Sequence, residues 1–282
     1  MDKPDGPTSH AVVARARRLF RQKAVGHCGT LDPFATGLLV LVFGGATRLA
    51  RWAERHPKTY HAVVRLGEST STDDRTGAVL ATCTPSMWPE RSDVAAALDR
   101  LSGVQQQRPP AYSAKHVHGE RSHRLARRGE RPEPAPATVR VHRIDLLEYA
   151  PPLLTLRALV GPGTYLRAIA RDLGAELGVG AHLAELRRER IGPWSVEDAV
   201  PLEALSGGES LLPPHAMIAG LPEVALLPEE ALGVRHGRDV LRPGPTEGES
   251  ALMLGPRLVA VARATGAGWH PQVVLPEDEG AA

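Results

Sequence analysis

The sequence predicts an α+β domain at 1–210, followed by a small, mostly β domain at 221–276. Three observations support this class. Apolar residues recur at helical spacing in some segments and alternate with polar residues in others. The glycine pair 207–208 and the proline pair 213–214 indicate a linker. Short β segments punctuated by glycine and proline follow at 240–241, 251–254, 258–262 and 273–275.

Helices are interspersed with pairs of strands along the first domain. Ser9 is positioned to cap a first helix whose apolar stripe runs from Val12 to Phe20. The aliphatic run 38–43 predicts one fully buried strand. Alternation in 59–67 predicts a half-buried strand with Tyr60 on its apolar face. Further elements are expected as helices at 92–101 and from Gly163 or Thr164 to Leu177, and as strands at 139–144 and 154–160.

The composition excludes several classes of protein. Hydrophobic residues make up 42% of the chain and charged residues 23%, as in ordinary globular proteins. The two cysteines, Cys28 and Cys83, fit neither a disulfide framework nor a zinc site with its about four ligands. The N-terminal segment lacks the apolar core of a signal peptide, and the run 38–43 is far shorter than the ~20 residues of a membrane span. We expect a cytoplasmic monomer that binds no metal and no membrane.

Positive charge is concentrated in the segment 108–143. It contains nine lysines or arginines against three glutamates, a net charge of +6, whereas the whole chain carries +2. Such an excess is the electrostatic footprint of nucleic-acid binding. A solvated loop explains a charge run equally well, so the segment alone does not decide between the two.

The densest chemical signal is the segment 26–39, which reads GHCGTLDPFATGLL. Its glycines permit tight turns or the close approach of a ligand. Pro33 restricts Asp32 to an extended conformation, which holds the Asp32 carboxylate on a stiff loop. A lone aspartate in a loop is more often a turn or cap residue than a catalytic one. The segment lacks the spacing of the common phosphate-binding loops, and His27 with Asp32 provides too few ligands for a metal.

This segment resembles the signature of the TruB family of pseudouridine synthases. Five other stretches resemble family motifs in the same order, and the six together span roughly the first 200 residues. These stretches lie at 2–9, 58–67, 110–115, 163–174 and 180–188. The C-terminal segment from 221 to 276 is similar in pattern to a PUA-like module.

The resemblance implies a pseudouridine synthase core, built on a mixed, largely antiparallel sheet flanked by helices, with a PUA-like domain at the C-terminus. It implies isomerisation of uridine 55 in the T-loop of tRNA, on a base flipped out of its stack, without a cofactor. Asp32 would be the nucleophile, and Arg167 would pair with it and keep it ionised. Tyr60 would stack on the uracil, and Tyr165 would help to remove the C5 proton.

The resemblance also implies how the tRNA is held. His27 would hold the T-loop, and Leu186 would close the apolar side of the pocket. The segment 108–143 would act as a basic insertion that grips phosphates of the T arm. Its candidate substrate-binding residues are Lys115, Arg124, Arg127 and Arg128.

Two features depart from the family pattern. Cys28 stands where the family usually has threonine, and the hydrophobic residues that usually precede the Lys-Pro motif are missing, as though the first strand were shortened or the true start lay upstream. Two other functions remain open. One is a non-enzymatic RNA-binding or RNA-folding protein on a decayed scaffold. The intact site residues disfavour decay, but they leave tRNA folding open as a second activity. The other is the guide-RNA-dependent branch of the superfamily, disfavoured by the compact chain without a long basic tail. We therefore expect no obligate protein partner.

Overall fold

The computed structural model of the protein describes residues 1–113, 115–117, 119–130 and 132–277, without the side chains of His123 and Arg127. The chain forms two compact units. The first comprises 1–7, 31–38 and 55–199, and the second comprises 8–30, 39–54 and the described residues from 200 onward. The division into domains at 1–210 and 221–276 stays a prediction.

The described residues contain six α-helices and nineteen β-strands. The helices are α1 (Ser9–Leu19), α2 (Ala50–Glu54), α3 (Arg91–Arg100), α4 (Ser122–Arg127), α5 (Leu166–Glu176) and α6 (Pro228–Arg235). The first ten strands are β1 (Asp2–Lys3), β2 (Val25–Cys28), β3 (Thr36–Leu38), β4 (Val40–Phe43), β5 (Lys58–Leu66), β6 (Glu68–Thr70), β7 (Val79–Thr82), β8 (Gly103–Gln107), β9 (His116–Val117) and β10 (Glu120–Arg121). The others are β11 (Ala137–Ala150), β12 (Leu153–Val160), β13 (Ala181–Ile191), β14 (Trp194–Ser195), β15 (Glu223–Ala225), β16 (Val240–Leu241), β17 (Glu249–Leu254), β18 (Arg257–Ala264) and β19 (Gly268–Val274).

The first unit is built on an eight-stranded sheet in the order β1-β3-β13-β5-β12-β11-β8, with β14 paired to β13. Strands β3 and β13 run parallel, and the other described pairs of this sheet are antiparallel. Helix α5 packs against the sheet through Ile169, Leu173 and neighbouring buried residues. The predicted α+β class with a mixed, largely antiparallel sheet is confirmed.

Strand β5 shows why alternation identifies a half-buried strand. Tyr60, Ala62, Val64 and Leu66 are buried, and the residues between them are more accessible. The strand lies between β12 and β13 in the sheet, so both of its edges are paired. Its buried residues all lie on one of its two faces, because side chains alternate along a strand. The predicted face of this strand is confirmed.

The aliphatic run 38–43 does not form one strand, contrary to the prediction. It is divided between β3, which ends at Leu38, and β4, which begins at Val40. Strand β3 pairs with β1 and β13, whereas β4 pairs with β2 in a separate two-stranded sheet. An unbroken apolar run indicates burial but does not reveal that its two halves have different partners.

Two helix starts also differ from the prediction. Thr8, not Ser9, caps α1, because Thr8 has extended backbone angles and its Oγ1 accepts a hydrogen bond from the Ala11 N–H at 3.1 Å. Helix α5 begins at Leu166, with Tyr165 as its N-cap residue, rather than at 163 or 164. Both shifts are small, but the second places Tyr165 at the end of a loop instead of inside a helix.

The C-terminal part of the second unit is a five-stranded sheet in the order β15-β17-β18-β19-β16. Its core contains Leu252, Val259 and Trp269, with Val234 from α6. The mostly β character is confirmed, although β15 and α6 were not predicted. None of the helices in the described ranges is long and apolar enough to cross a membrane.

Candidate active site

The Asp32 loop connects β2 with β3 and is fastened to the N-terminal residues of the same unit. The buried Lys3 ammonium donates hydrogen bonds to the carbonyls of Pro4, Pro7 and Pro33 at 2.8, 2.9 and 3.0 Å. The Gly6 N–H also donates to the Pro33 carbonyl, at 2.9 Å. Because both donors hold the carbonyl of the residue after Asp32, they restrain the backbone that carries the Asp32 side chain.

Arg167 makes the closest charged contact of Asp32. Its Nη2 donates a hydrogen bond to Asp32 Oδ1 at 3.1 Å, and its Nε lies 2.9 Å from Asp32 Oδ2. The Arg167 side chain is 4% exposed, whereas that of Asp32 is 33% exposed. The ion pair therefore has a buried cation and a carboxylate that solvent or a substrate can still reach. The predicted pairing of these two side chains is present in the structure.

The Arg167 guanidinium is held by three further partners. It donates to the backbone carbonyls of Thr72 and Tyr112, both at 2.9 Å. Its Nη1 also lies 3.6 Å from the carboxylate of the buried Asp74. Asp74 Oδ1 in turn accepts hydrogen bonds from the Thr72 hydroxyl and from the N–H and hydroxyl of Thr76. These contacts fix the guanidinium plane, so Arg167 cannot turn away from Asp32 without breaking several hydrogen bonds.

Burial raises the pKa of the Asp32 carboxyl above its ordinary value, because a charge is poorly solvated there. The Arg167 cation opposes this shift, and the negative charge of Asp74 adds to it. The sequence predicted that Arg167 keeps Asp32 ionised. Arg167 does favour the ionised form, but burial outweighs it. The Lys3 ammonium also favours the ionised Asp32, while burial lowers the pKa of Lys3 itself to about 8.

Tyr165 is held beside this pair by a side chain that the sequence did not identify. Gln107, at the end of β8, is buried, and its carboxamide pairs with both backbone polar groups of Tyr165. Gln107 Oε1 accepts from the Tyr165 N–H at 2.9 Å, and Gln107 Nε2 donates to the Tyr165 carbonyl at 3.2 Å. Burial raises the pKa of the Tyr165 phenol, and the positive charge of Arg167 opposes the shift.

Tyr60 and Leu186 lie on two neighbouring strands of the same sheet. Both side chains are buried, at 7% and 8% exposure, and Leu186 stands opposite Ala62 in the antiparallel register of β13 with β5. The Leu186 carbonyl accepts a hydrogen bond from the hydroxyl of Thr36 at 3.4 Å, so β13 is tied to the strand that follows the Asp32 loop. The structure thus places Asp32, Arg167, Tyr165, Tyr60 and Leu186 in one unit, on adjacent elements.

Internal ion pairs offset part of the charge in the predicted basic insertion. Arg128 contacts Glu120 at 2.6 Å and Glu130 at 2.9 Å, and Arg108 contacts Glu133 at 2.6 Å. These pairs are exposed, and they engage Arg108 and Arg128. The net charge of +6 already subtracts the three glutamates, so the excess itself lies on the other cations of the segment. Among the candidate substrate-binding residues, the side chains of Lys115 and Arg124 are exposed, and that of Arg127 lies outside the described residues.

His27 lies on β2 in the second unit, where its ring meets the edge of the His10 ring at a centroid distance of 5.6 Å. No cluster of three or more His, Cys, Asp or Glu side chains in the described parts of the chain is arranged to hold a metal ion.

Comparisons with known proteins identify the class to which this fold and site belong. Residues 17–166 match the family described as TruB family pseudouridylate synthase (N terminal domain), and residues 167–211 match the tRNA pseudouridylate synthase B C-terminal domain. The tRNA pseudouridine synthase B of Thermobifida fusca is 41% identical over 284 residues, covering 98% of this chain and 97% of that protein. That of Gloeobacter violaceus is 41% identical over 288 residues, with the same coverage.

Solved structures agree with this class. A chain of a Cbf5-Nop10-Gar1 complex superposes with a TM-score of 0.75 at 26% identity, covering 100% of this chain and 85% of the other. A chain of an H/ACA ribonucleoprotein bound to a substrate RNA containing 2′-deoxyuridine gives 0.73 at 26% identity, covering 99% and 85%. The protein is a pseudouridine synthase, an enzyme that isomerises uridine to pseudouridine. More narrowly, the chain belongs to the TruB family, as the sequence predicted.

Proposed function

We propose that this enzyme converts uridine 55 in the T-loop of tRNA to pseudouridine, with Asp32 as the nucleophile that attacks a base flipped out of the RNA. The observation that carries the proposal is the Asp32–Arg167 pair, in which a buried guanidinium, held by hydrogen bonds from both of its Nη atoms, faces a partly accessible carboxylate. The naming of the bacterial relatives as tRNA pseudouridine synthase B supports tRNA as the substrate.

The proposed chemistry is balanced without any added reagent. The bond between ribose C1′ and uracil N1 breaks, a bond between C1′ and C5 forms, the C5 proton leaves and N1 gains a proton. An ionised Asp32 is suited to attack either ribose C1′ or uracil C6 and to form a transient covalent bond. Because nothing is oxidised, reduced or donated from outside, we propose that the reaction needs no cofactor.

The remaining residues would hold the base and move its proton. Tyr60 would stack on the uracil, and Leu186 would cover the apolar side of the pocket. Tyr165 has a raised pKa and is therefore a neutral phenol at neutral pH. Its hydroxyl would accept the C5 proton while passing its own proton to water, since a phenol can donate and accept at once. His27 and the basic insertion would bind the T arm.

An unmodified tRNA transcript provides the direct test. The purified protein alone should form pseudouridine at position 55, and a transcript with cytidine at that position should remain unmodified. Tight binding without modification would instead support a non-enzymatic RNA-binding protein. Modification that requires a guide RNA and partner proteins would support the guide-dependent branch, and modification elsewhere in the tRNA would contradict the proposed position.

The raised pKa of Asp32 predicts the pH dependence of the chemical step. The nucleophile must be ionised, so the single-turnover rate should fall as the pH falls through the raised pKa, at a higher pH than for an ordinary aspartate. Asp74→Asn removes a negative charge that raises this pKa, so the acidic limb of the profile should move to lower pH in the variant. Rates measured against pH for both proteins check this. A limb that stays in place or moves to higher pH contradicts the assignment.

The contact between Gln107 and Tyr165 predicts a positioning effect. Gln107→Leu leaves the partly buried N–H of Tyr165 without its partner, at about 1–3 kcal/mol, and removes one of the two donors to the Tyr165 carbonyl, which keeps the Ile169 N–H. We expect a lower unfolding temperature and a single-turnover rate reduced roughly tenfold to hundredfold, because a small displacement of a reacting group is costly. Gln106→Leu is the matched control, since Gln106 is exposed and its side chain bonds only the Thr138 hydroxyl among the residues that the structure describes. Equal rates in the two variants would show that Gln107 is not a positioning residue.

A further inference from the structure

A second basic region lies in the N-terminal part of the chain. Residues 8–30 of the second unit contain five basic residues and no acidic residue, a net charge of +5. The five are Arg15, Arg17, Arg18, Arg21 and Lys23. No carboxylate in the described part of the chain forms an ion pair with any of them. This region therefore keeps its full positive charge, in contrast to the insertion at 108–143, where glutamates pair with Arg108 and Arg128.

The fold presents these cations on one side of α1. The helix buries Ser9, Val12, Val13 and Ala16, and its opposite side is exposed. Four side chains at its C-terminal end and in the following turn are exposed, and we call them the α1 basic surface: Arg17, Arg18, Arg21 and Lys23. Cations in the last turn of a helix favour its dipole, but this accounts for Arg17 and Arg18 only, because Arg21 and Lys23 lie beyond the helix end.

The α1 basic surface adjoins the strand that carries His27. Arg17 Nη2 donates a hydrogen bond to the Val25 carbonyl at 2.8 Å, which ties the C-terminal end of α1 to the start of β2. His10, near the N-terminal end of α1, contacts the His27 ring near the end of β2. His10, which contacts His27, and Arg18 are eight residues apart on α1. Since a helix rises 1.5 Å per residue, the exposed side of α1 reaches about 12 Å from His10 to Arg18.

We propose that the α1 basic surface binds phosphates of the RNA backbone that adjoins the loop held by His27. The proposal rests on the proposed function, because the bound T-loop lies at the His27 end of this surface only if the substrate is a tRNA T arm. Exposed guanidinium and ammonium groups that form no ion pair with a carboxylate of the described residues favour a polyanion, and guanidinium forks suit phosphate oxygens. The α1 basic surface thus adds a phosphate contact to the one predicted for 108–143.

The test compares two double variants with the same loss of charge. Arg18→Gln with Arg21→Gln removes two cations from the α1 basic surface. Arg65→Gln with Arg91→Gln removes two exposed arginines of the first unit, neither of which forms an ion pair with a carboxylate of the described residues. Binding of an unmodified tRNA transcript is measured at several salt concentrations, together with unfolding temperatures and single-turnover rates at saturating enzyme.

We expect the Arg18 and Arg21 variant to bind roughly tenfold more weakly, with a slope of log affinity against log salt that is lower by up to about 1.8. The control should bind within about twofold of wild type, and both variants should keep the wild-type chemical rate, because uniform binding does not affect it. An unchanged salt slope, or equal weakening in both variants, overturns the inference. If wild type forms pseudouridine and the slope is unchanged, this inference fails alone. If wild type forms none, the proposed function fails, and the salt slopes still decide whether the surface binds RNA.

Discussion

Asp32→Asn is expected to fold and to bind tRNA, yet to form no detectable pseudouridine. The carboxamide has nearly the shape of the carboxylate, and its oxygen can still accept the hydrogen bond from Arg167 Nη2. It carries no negative charge and is a poor nucleophile, so the covalent step is lost. Removal of a covalent nucleophile typically lowers the rate by at least about 10³-fold.

The control for this variant is Asp99→Asn on α3. Asp99 is an exposed aspartate outside every motif of the site, and its replacement should leave the rate unchanged. Both proteins are assayed by mapping pseudouridine in the product RNA under single-turnover conditions, with binding measured in parallel. Asp32→Asn activity within tenfold of wild type would rule out Asp32 as the nucleophile. Loss of binding together with activity would indicate a folding defect, which the unfolding temperature reveals.

The parts of the fold that the sequence predicted well depend on local periodicity. The alternating apolar residues of β5 and the stripe of α5 report which side of an element is buried, and that side follows from a few neighbouring residues. The division of the run 38–43 between two sheets depends on partners far along the chain, such as β13 and β2. Local patterns carry no information about such partners.

The candidate site shows the same limit. The segment around Asp32 identified one half of the ion pair, and the resemblance named Arg167 as the other half. Gln107 and Lys3 were not assigned a role, because their action is directed at backbone groups rather than at reacting atoms. No sequence pattern distinguishes a glutamine that bonds backbone groups in the interior from a glutamine at the surface. Gln107 and Tyr165 are also 58 positions apart in the sequence, and only the fold brings them together.

The formal charge of a segment gives its numbers of basic and acidic residues, but it does not show which cations are free to bind a ligand. The +6 excess of residues 108–143 was the main electrostatic signal in the sequence. In the structure, Arg128 lies between Glu120 and Glu130, two of the glutamates that the +6 already subtracts, so Arg128 is not one of the cations that make up the excess. The five basic residues of 8–30 are fewer, but none of them forms an ion pair with a carboxylate of the described residues. Which of the two regions binds RNA more strongly is therefore decided by neighbours in space.

Arg167→Lys is expected to keep the positive charge and to lose most of the activity. A lysine ammonium is a single point of charge, and it cannot replace a planar fork that contacts Asp32, the Thr72 carbonyl and the Tyr112 carbonyl together. We expect a single-turnover rate reduced about 10²- to 10³-fold, since the carboxylate is no longer held in one orientation. Unpaired buried carbonyls should also lower the free energy of unfolding by about 1–3 kcal/mol.

Arg171→Lys is the matched control, one turn further along α5. Arg171 also pairs with carboxylates, those of Asp73 and Asp172, and donates to the Arg108 carbonyl, but it does not contact Asp32. Its replacement should lower stability modestly and leave the chemical rate within about fivefold of wild type. If Arg167 acts by orienting the Asp32 carboxylate, the two variants should differ far more in single-turnover rate than in unfolding temperature. Equal rates would mean that a positive charge at position 167 suffices without the planar fork, and that the orientation of the Asp32 carboxylate does not limit the reaction.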